Sequence, residues 1–232
     1  MRKFPKFKSD ILYALDLDGV IIDSIEECFK NTVVTYYSND YDKKKVKELF
    51  YQYRGLVQPA YEYYFLILAI EEYLAEGKFS VEYIFRQKRK NELKNDAILF
   101  EKHFFINRRI LQKQNLNGWM DLNPLTDFGE YLLKKTPKNI VIVTTKNRDS
   151  AEKIIKYYNI YAEKIYGINQ VRDAGSKGNL LNLILEKSIF QKMVFIDDAP
   201  EHLDTVDNDN IQCYHANWGY GDKNNGHPPY KI

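Results

Sequence analysis

Residues 11–24 constrain the fold more than any other stretch. Ile11-Leu12-Tyr13-Ala14-Leu15 is an apolar run the length of one buried strand, stopped by Asp16 and Asp18 and followed by Gly19. In extended backbone, residues i and i+2 face the same side, so Asp16 and Asp18 aim at one point beyond the strand end. Two anions about 4 Å apart repel by roughly 4 kcal/mol at an effective dielectric near 20. Such a pair therefore needs a cation, a proton or water between its members. Gly19 lets the chain turn sharply without a Cβ clash. Alone, these residues would equally describe a strand followed by an acidic turn; the rest of the chain separates the two readings.

The chain has 232 residues, enough for one large domain or one domain carrying an insertion. Hydrophobic content of 44% and charged content of 28% describe an ordinary soluble globular protein. The net charge is +2 with Lys and Arg scattered throughout, which gives no basic stripe and no expectation of nucleic-acid binding. Cys28 and Cys213 are far apart in sequence; they suit a reducing compartment, and no disulfide is inferred. Met1–Lys8 is basic but lacks the apolar run of a signal peptide, and Phe65–Ile70 is too short to span a bilayer. The expectation is a soluble, cytoplasmic protein without a membrane partner.

From about residue 25 to 115 the pattern is helical, with charges interleaved among aromatics and few Gly or Pro. Tyr61, Tyr64, Phe65, Leu68 and Tyr73 make one apolar stripe, and Ser80 is placed to cap a helix carrying Val81, Ile84 and Phe85. Leu93, Ala97, Phe100, Phe104 and Ile110 make another. These stripes read as core, and the clusters Lys43-Lys44-Lys45 and Arg86–Lys90 as solvated faces. Gly118–Leu122 reads as a return linker, and Asn123-Pro124 as the cap and first residue of a helix burying Leu125, Phe128 and Leu132.

Strand and helix then alternate. Ile140–Val143 is β-branched throughout, as in a parallel strand buried on both faces, and ends in Thr144-Thr145-Lys146. Asp149 and Glu152 are spaced as a capping box for a helix burying Ala151, Ile154, Ile155 and Tyr158. A short strand near 164–168, a helix with Leu180, Leu181, Ile184 and Leu185, a strand Met193–Ile196 ending in Asp197-Asp198, a helix from Pro200 and a last strand at Ile211–Tyr214 complete the series. Repeated βα units predict an α/β fold, a doubly wound parallel sheet with right-handed crossovers, whose ligands bind beyond the carboxyl ends of the strands. Asp16 and Asp18, Thr144, and Asp197 and Asp198 would then emerge at one edge, with Lys177 from the helix start before the Met193 strand. Four acids, a hydroxyl and an ammonium group at one edge meet the needs of Mg²⁺-dependent phosphoryl transfer.

At these residues the chain resembles the haloacid dehalogenase-like superfamily. Asp16–Ser24 is similar to the first motif of that superfamily and Ile140–Thr144 to the second. Lys177 within Ser176-Lys177-Gly178 is similar to the third, and Val194–Asp198 to the fourth. The insertion after the first motif resembles the helical cap of the phosphoglycolate phosphatase-like branch, as does Asn217-Trp218-Gly219-Tyr220-Gly221 near the end. The resemblance implies a core of residues 1–24 and 116–232 and a helical cap of residues 25–115.

It further implies that Asp16 is the nucleophile, forming an aspartyl-phosphate, and that Asp18 protonates the leaving oxygen and then activates water. Mg²⁺ would be held by the Asp16 carboxylate, the Asp18 carbonyl and Asp198, with Asp197 orienting the ligands rather than binding directly. Thr144, in preference to Thr145, and Lys177 would hold the phosphoryl oxygens, with Lys146 the competitor for the lysine role. His202 reads as structural, and Asp23 and Ser24 as a hinge. Asp18 argues against a dehalogenase, since halide needs no proton, and for phosphate transfer to water.

The cap would select the substrate. Arg54-Gly55 is a candidate loop for a second anionic group, with an ordinary surface turn as the competing reading. The expected reaction is hydrolysis of a small phosphorylated metabolite such as phosphoglycolate or a sugar phosphate, by a monomer or homodimer. A phosphomutase, a nucleotidase and a catalytically silent binding module are the alternatives.

Overall fold

In a computed structural model describing residues 6–36, 43–90, 94–221 and 226–230, the chain forms two compact units. One comprises Met1–Asp23 with Pro124–Ile232, the other Ser24–Asn123. Along the chain run β1 (Leu12–Leu15), α1 (Ile25–Tyr36), α2 (Lys43–Tyr53), a 3₁₀ turn (Arg54–Leu56), α3 (Glu62–Glu76), α4 (Val81–Lys90), α5 (Lys94–Gln114) and α6 (Leu116–Met120). There follow α7 (Asp127–Lys135), β2 (Ile140–Val143), α8 (Arg148–Tyr157), β3 (Lys164–Tyr166), α9 (Ile168–Ala174), α10 (Lys177–Glu186), β4 (Met193–Asp197), α11 (Pro200–Leu203) and β5 (Ile211–His215). Among the described residues no helix is long and apolar enough to cross a membrane.

The first unit is an α/β fold. Its five strands form one sheet in the order β3-β2-β1-β4-β5, and every pairing is parallel. All of β1, β2 and β4 is buried, as runs covered on both faces must be. On one face Leu12, Ala14, Val141, Val143 and Phe195 pack with Leu180, Leu181 and Ile184 of α10. The winding reverses at β1, which pairs with β2 on one side and β4 on the other. That reversal leaves a crevice at the carboxyl end of β1. Register fixes what lies there: Leu15 pairs with Ile142 and with Ile196, so Asp16 stands beside Asp197 and one residue before the level of Thr144.

The chain leaves β1 through a tight turn. Gly19 sits at φ +79°, and Ile21 and Ile22 both donate to the Leu17 carbonyl. Ile22 then bridges Leu125 in antiparallel fashion, and Asp23 N donates to Pro124 O at 2.8 Å. This pairing overrides the helix start expected at Asn123-Pro124. The helix begins instead at Asp127, capped by Thr126, whose hydroxyl accepts from Gly129 N and donates to Val20 O at 2.6 Å. Leu125 precedes that helix and is only half-buried.

Two further expectations fail locally. The capping box at Asp149 and Glu152 does not form: Asn147 holds the cap position, Glu152 accepts from Arg148 Nε at 2.7 Å, and Tyr158 is half-buried. Gly118–Leu122 is not an open linker. Residues through Met120 belong to α6, capped by Asn115, with Trp119 and Met120 buried in the second unit.

Among the described residues the regular structure of that second unit is helical, around an aromatic core including Phe50, Tyr63, Phe65, Phe85, Phe100 and Phe104. The stripe expected on α3 is partly rotated: Phe65 is buried as expected, together with Tyr63, Leu66, Ile67 and Ile70, while Tyr61, Tyr64 and Leu68 are half-buried and Tyr73 is exposed. On α5, Ala97, Phe100 and Phe104 are buried but Ile110 is exposed; Leu93 lies outside the described residues. Ser80 caps α4 as expected, its hydroxyl accepting from Tyr83 N. Lys44 and Lys45 are exposed, whereas Lys88 and Arg89 pair with Glu72 and Glu62 of α3.

At the heart of this unit Arg108 of α5 donates from Nε and Nη2 to the two carboxylate oxygens of Glu27 of α1, at 2.8 and 2.7 Å. Trp119 Nε1 adds a third bond to Glu27 at 3.1 Å, which explains why α6 folds back here. The ion pair is almost wholly buried. Truncating Arg108 to Ala would strand the Glu27 charge, at a cost of about 3–5 kcal/mol. Hydrogen exchange of α1 and α5 amides checks this: protection in both helices is expected to fall together.

Candidate active site

Four strand-end and helix-start segments build the site. Asp16 follows β1, its N–H donating to Ile196 O at 2.9 Å, so the sheet ladder itself fixes where its side chain starts. Asp197 ends β4, and Asp198 follows it. Lys177 is the first residue of α10, whose cap is Ser176 accepting from Asn179 N. Gly178 brings that helix start close to residue 205, since a Cβ there would stand 1.9 Å from Thr205 O.

Lys177 is fully buried between two acids. Its Nζ lies 3.0 Å from Asp16 Oδ1 and 2.7 Å from Asp197 Oδ2. One carboxylate oxygen each from Asp16, Asp197 and Asp198 lies within 4.8 Å of the others, and all three residues are buried. Asp197 has further partners: beyond Lys177 it meets His202 Nδ1 at 3.1 Å, and its Oδ1 accepts from Ala199 N at 2.9 Å. Burial pushes the Asp197 carboxyl up, but Lys177 and His202 outweigh that and hold it below the usual carboxylate range. Burial pushes Lys177 down, and Asp16 and Asp197 more than reverse this. For Asp16 burial prevails over the pull of Lys177, with the nearby Asp197 adding to it, and its pKa rises from 3.8 to about 6.

The second lysine has a different post. Lys146, also buried, donates from Nζ to Asp18 Oδ1 at 2.9 Å. The two lysines weighed for one role therefore divide between the acids of the first motif. Thr144 is buried at the end of β2, and its hydroxyl accepts from Lys146 N at 3.1 Å; Thr145 beside it is half-buried. Arg54 and Gly55 belong to the other unit. Arg54 is not on a surface turn: it is buried in the 3₁₀ turn, donating from Nη1 to Val57 O at 2.8 Å and stacking its guanidinium 5.2 Å from the Tyr63 ring centre.

Sequence reasoning missed His202 as part of the charge network. Its signal was its spacing, five residues after Asp197 across a short helix begun by Pro200. The segment Asn217–Gly221, singled out in the sequence for its resemblance alone, carried no expected contact with Asp198, yet Tyr220 N donates to Asp198 Oδ2.

The donor set is entirely carboxylate oxygen, which suits a hard cation such as Mg²⁺ rather than a thiophilic one. Asp197 is already offset by Lys177 and His202, so Asp16 and Asp198 are the carboxylates best placed to hold such an ion.

The strand order, the parallel register and the acids at the β1 switch point define the class: this is the fold of the haloacid dehalogenase-like hydrolases. A haloacid dehalogenase-like family hydrolase from Streptococcus pneumoniae is similar in structure, with a TM-score of 0.56 at 19% identity over 94% of this chain and 90% of that one. A predicted phosphatase from Clostridium acetobutylicum matches with a TM-score of 0.55 at 18% identity, covering 95% and 93%. A predicted phosphoglycolate phosphatase from Haemophilus somnus matches with a TM-score of 0.58 at 12% identity, covering 96% and 91%. No family model matches the sequence, and no significant match was found among curated proteins.

The raised Asp16 carboxyl has a consequence for stability. An acid whose pKa rises on folding holds its proton better in the folded state, so its contribution falls as pH climbs from about 4 to about 6. In chelator, the stability of the wild type relative to Asp16→Asn is expected to drop across that window, by on the order of 3 kcal/mol. Denaturation midpoints at stepped pH check this; a difference independent of pH would contradict the burial argument.

Proposed function

We propose that the protein is a Mg²⁺-dependent phosphatase acting on a small phosphomonoester through an aspartyl-phosphate on Asp16. The observation that carries this reading is the buried Asp16–Lys177–Asp197 array with Asp198 alongside. Asp16, which shares Lys177 with Asp197, and Asp198 beside it are the carboxylates that a divalent cation would meet. The similarity to structures described as phosphatases and a phosphoglycolate phosphatase supports the substrate class.

In this reading an Asp16 carboxylate oxygen attacks phosphorus, and the ester oxygen leaves with the electron pair of the broken P–O bond. Asp18 gives that oxygen a proton, and then takes one from the water that cleaves the aspartyl-phosphate. Lys146 fixes one oxygen of Asp18, so its carboxyl group keeps its place through both proton transfers. Lys177 offsets charge on the phosphoryl oxygens, and Thr144 is available to donate a hydrogen bond to them. Mg²⁺, held by Asp16 and Asp198 with the Asp18 carbonyl, would neutralise phosphate charge and orient it for in-line attack. Asp197 and His202 keep Lys177 charged and aimed.

Hydrolysis of p-nitrophenyl phosphate tests the proposal. Activity should require Mg²⁺ and vanish in chelator. Asp16→Asn should lower kcat by about 10³-fold or more, and Asp18→Asn by about 10²–10⁴-fold. Rapid quenching should trap one phosphoryl group on Asp16. Metal-independent turnover, or an unimpaired Asp16→Asn enzyme, would end the proposal.

A further inference from the structure

The turn after β5 grips the site at several points. Ala216 N donates to Asp197 O at 2.8 Å, continuing the β4–β5 ladder. Trp218 Nε1 then donates to Val20 O at 3.0 Å and Tyr220 Oη to Asp23 Oδ1 at 2.7 Å, so the turn is pinned to the segment leaving β1. Between these anchors it closes on Asp198. The Tyr220 backbone N–H donates to Asp198 Oδ2 at 2.7 Å. Buried His215 donates from Nε2 to the Asp198 carbonyl at 3.1 Å, which fixes that tautomer.

The two glycines are required by space. A Cβ on Gly219 would stand 2.3 Å from Asp198 Cβ and 2.6 Å from its Oδ2, and one on Gly221 would stand 1.7 Å from the Asp198 carbonyl oxygen. Neither gap admits a methyl group. Bare backbone therefore lies against both the side chain and the carbonyl of one acid.

We propose that Gly219-Tyr220-Gly221 is the positioning element for Asp198, holding its carboxylate for a divalent cation shared with Asp16. This rests on the reading of Asp198 as a cation ligand given above. Asp197 is held by groups that offset its charge, Lys177 and His202. The Tyr220 amide is a neutral donor: it sets the orientation of Asp198 and adds no positive charge. Outer partners of this kind tune metal affinity by 10–100-fold in characterised sites. The Tyr220 side chain anchors the turn through Asp23, and the contacts with Asp198 come from the Tyr220 backbone and from the absence of two side chains.

Mn²⁺ binding, read from the loss of its free paramagnetic signal, provides the test without recourse to turnover. Gly219→Ala is expected to weaken Mn²⁺ by about 10–100-fold with an unchanged circular dichroism spectrum. Wild-type affinity in Gly219→Ala overturns the positioning role. If Gly219→Ala does not accumulate folded, it is combined with Asp198→Gly, which empties the contested space. The double variant should then fold with the Tm of Asp198→Gly alone; failure to do so overturns the proposal, because the glycine would be serving another contact. Asp198→Asn separates the two levels: undiminished Mn²⁺ binding there removes the ligand role itself, and the function proposed above loses its cation site.

Discussion

Parallel strands in register force two carboxylates together at the centre of the sheet, and the site follows from how that repulsion is met. Asp16 and Asp197 stand on neighbouring strands at the same level, out of bulk water, where like charges are costly. The Lys177 ammonium between them makes the arrangement tenable, and its own burial is tolerable because both acids attend it. Every nearby feature serves that contact. Ser176 caps α10 so that Lys177 emerges at its first turn, and Gly178 lets the helix start close against residue 205. His202 takes up the remaining demand of Asp197, so the lysine is not drawn away from Asp16.

The arrangement is incomplete in charge. Asp16 resists ionisation more than a solvated carboxyl does, because burial outweighs what one shared ammonium group supplies. A group in that condition gains from a further cation and, once ionised, carries charge held tightly against few partners. Both properties suit a nucleophile whose charge is to be passed onto a phosphoryl group. The same imbalance accounts for the second lysine: Lys146 secures Asp18 and leaves Lys177 committed to Asp16 and Asp197.

Much of the core was legible because its signals are local. Ile140–Val143 and Met193–Ile196 are apolar runs ending in polar groups, and their parallel pairing follows from the helices between them. What failed to read depended on partners remote in sequence. Asn123-Pro124 has the form of a helix start, yet the Pro124 carbonyl is engaged by Asp23, so the chain stays extended to Thr126. Trp119 lies in a Gly-containing stretch with the look of a linker, but Glu27, 92 residues away, holds its indole in the helical unit. The rotation of the α3 stripe has a similar origin. Helices pack against that face from several sides, and a helix buried on most of its surface has no single stripe to find.

Asp197 and Asp198 show why a doubled acid is useful at such an edge. They are adjacent in sequence and each has a carboxylate oxygen within 4.8 Å of the other, yet each meets different neighbours. One meets Lys177 of the α10 start and His202 of α11; the other meets the 216–221 turn and is held by a backbone amide. The first carboxylate is thereby spent on fixing the lysine, and the second is oriented by a partner that leaves its charge in place. A single acid in this position would have to choose between the two tasks. The Asp-Asp step divides them at the cost of one residue, provided the facing turn comes close enough to hold the second acid, and the missing Cβ atoms at Gly219 and Gly221 allow that approach.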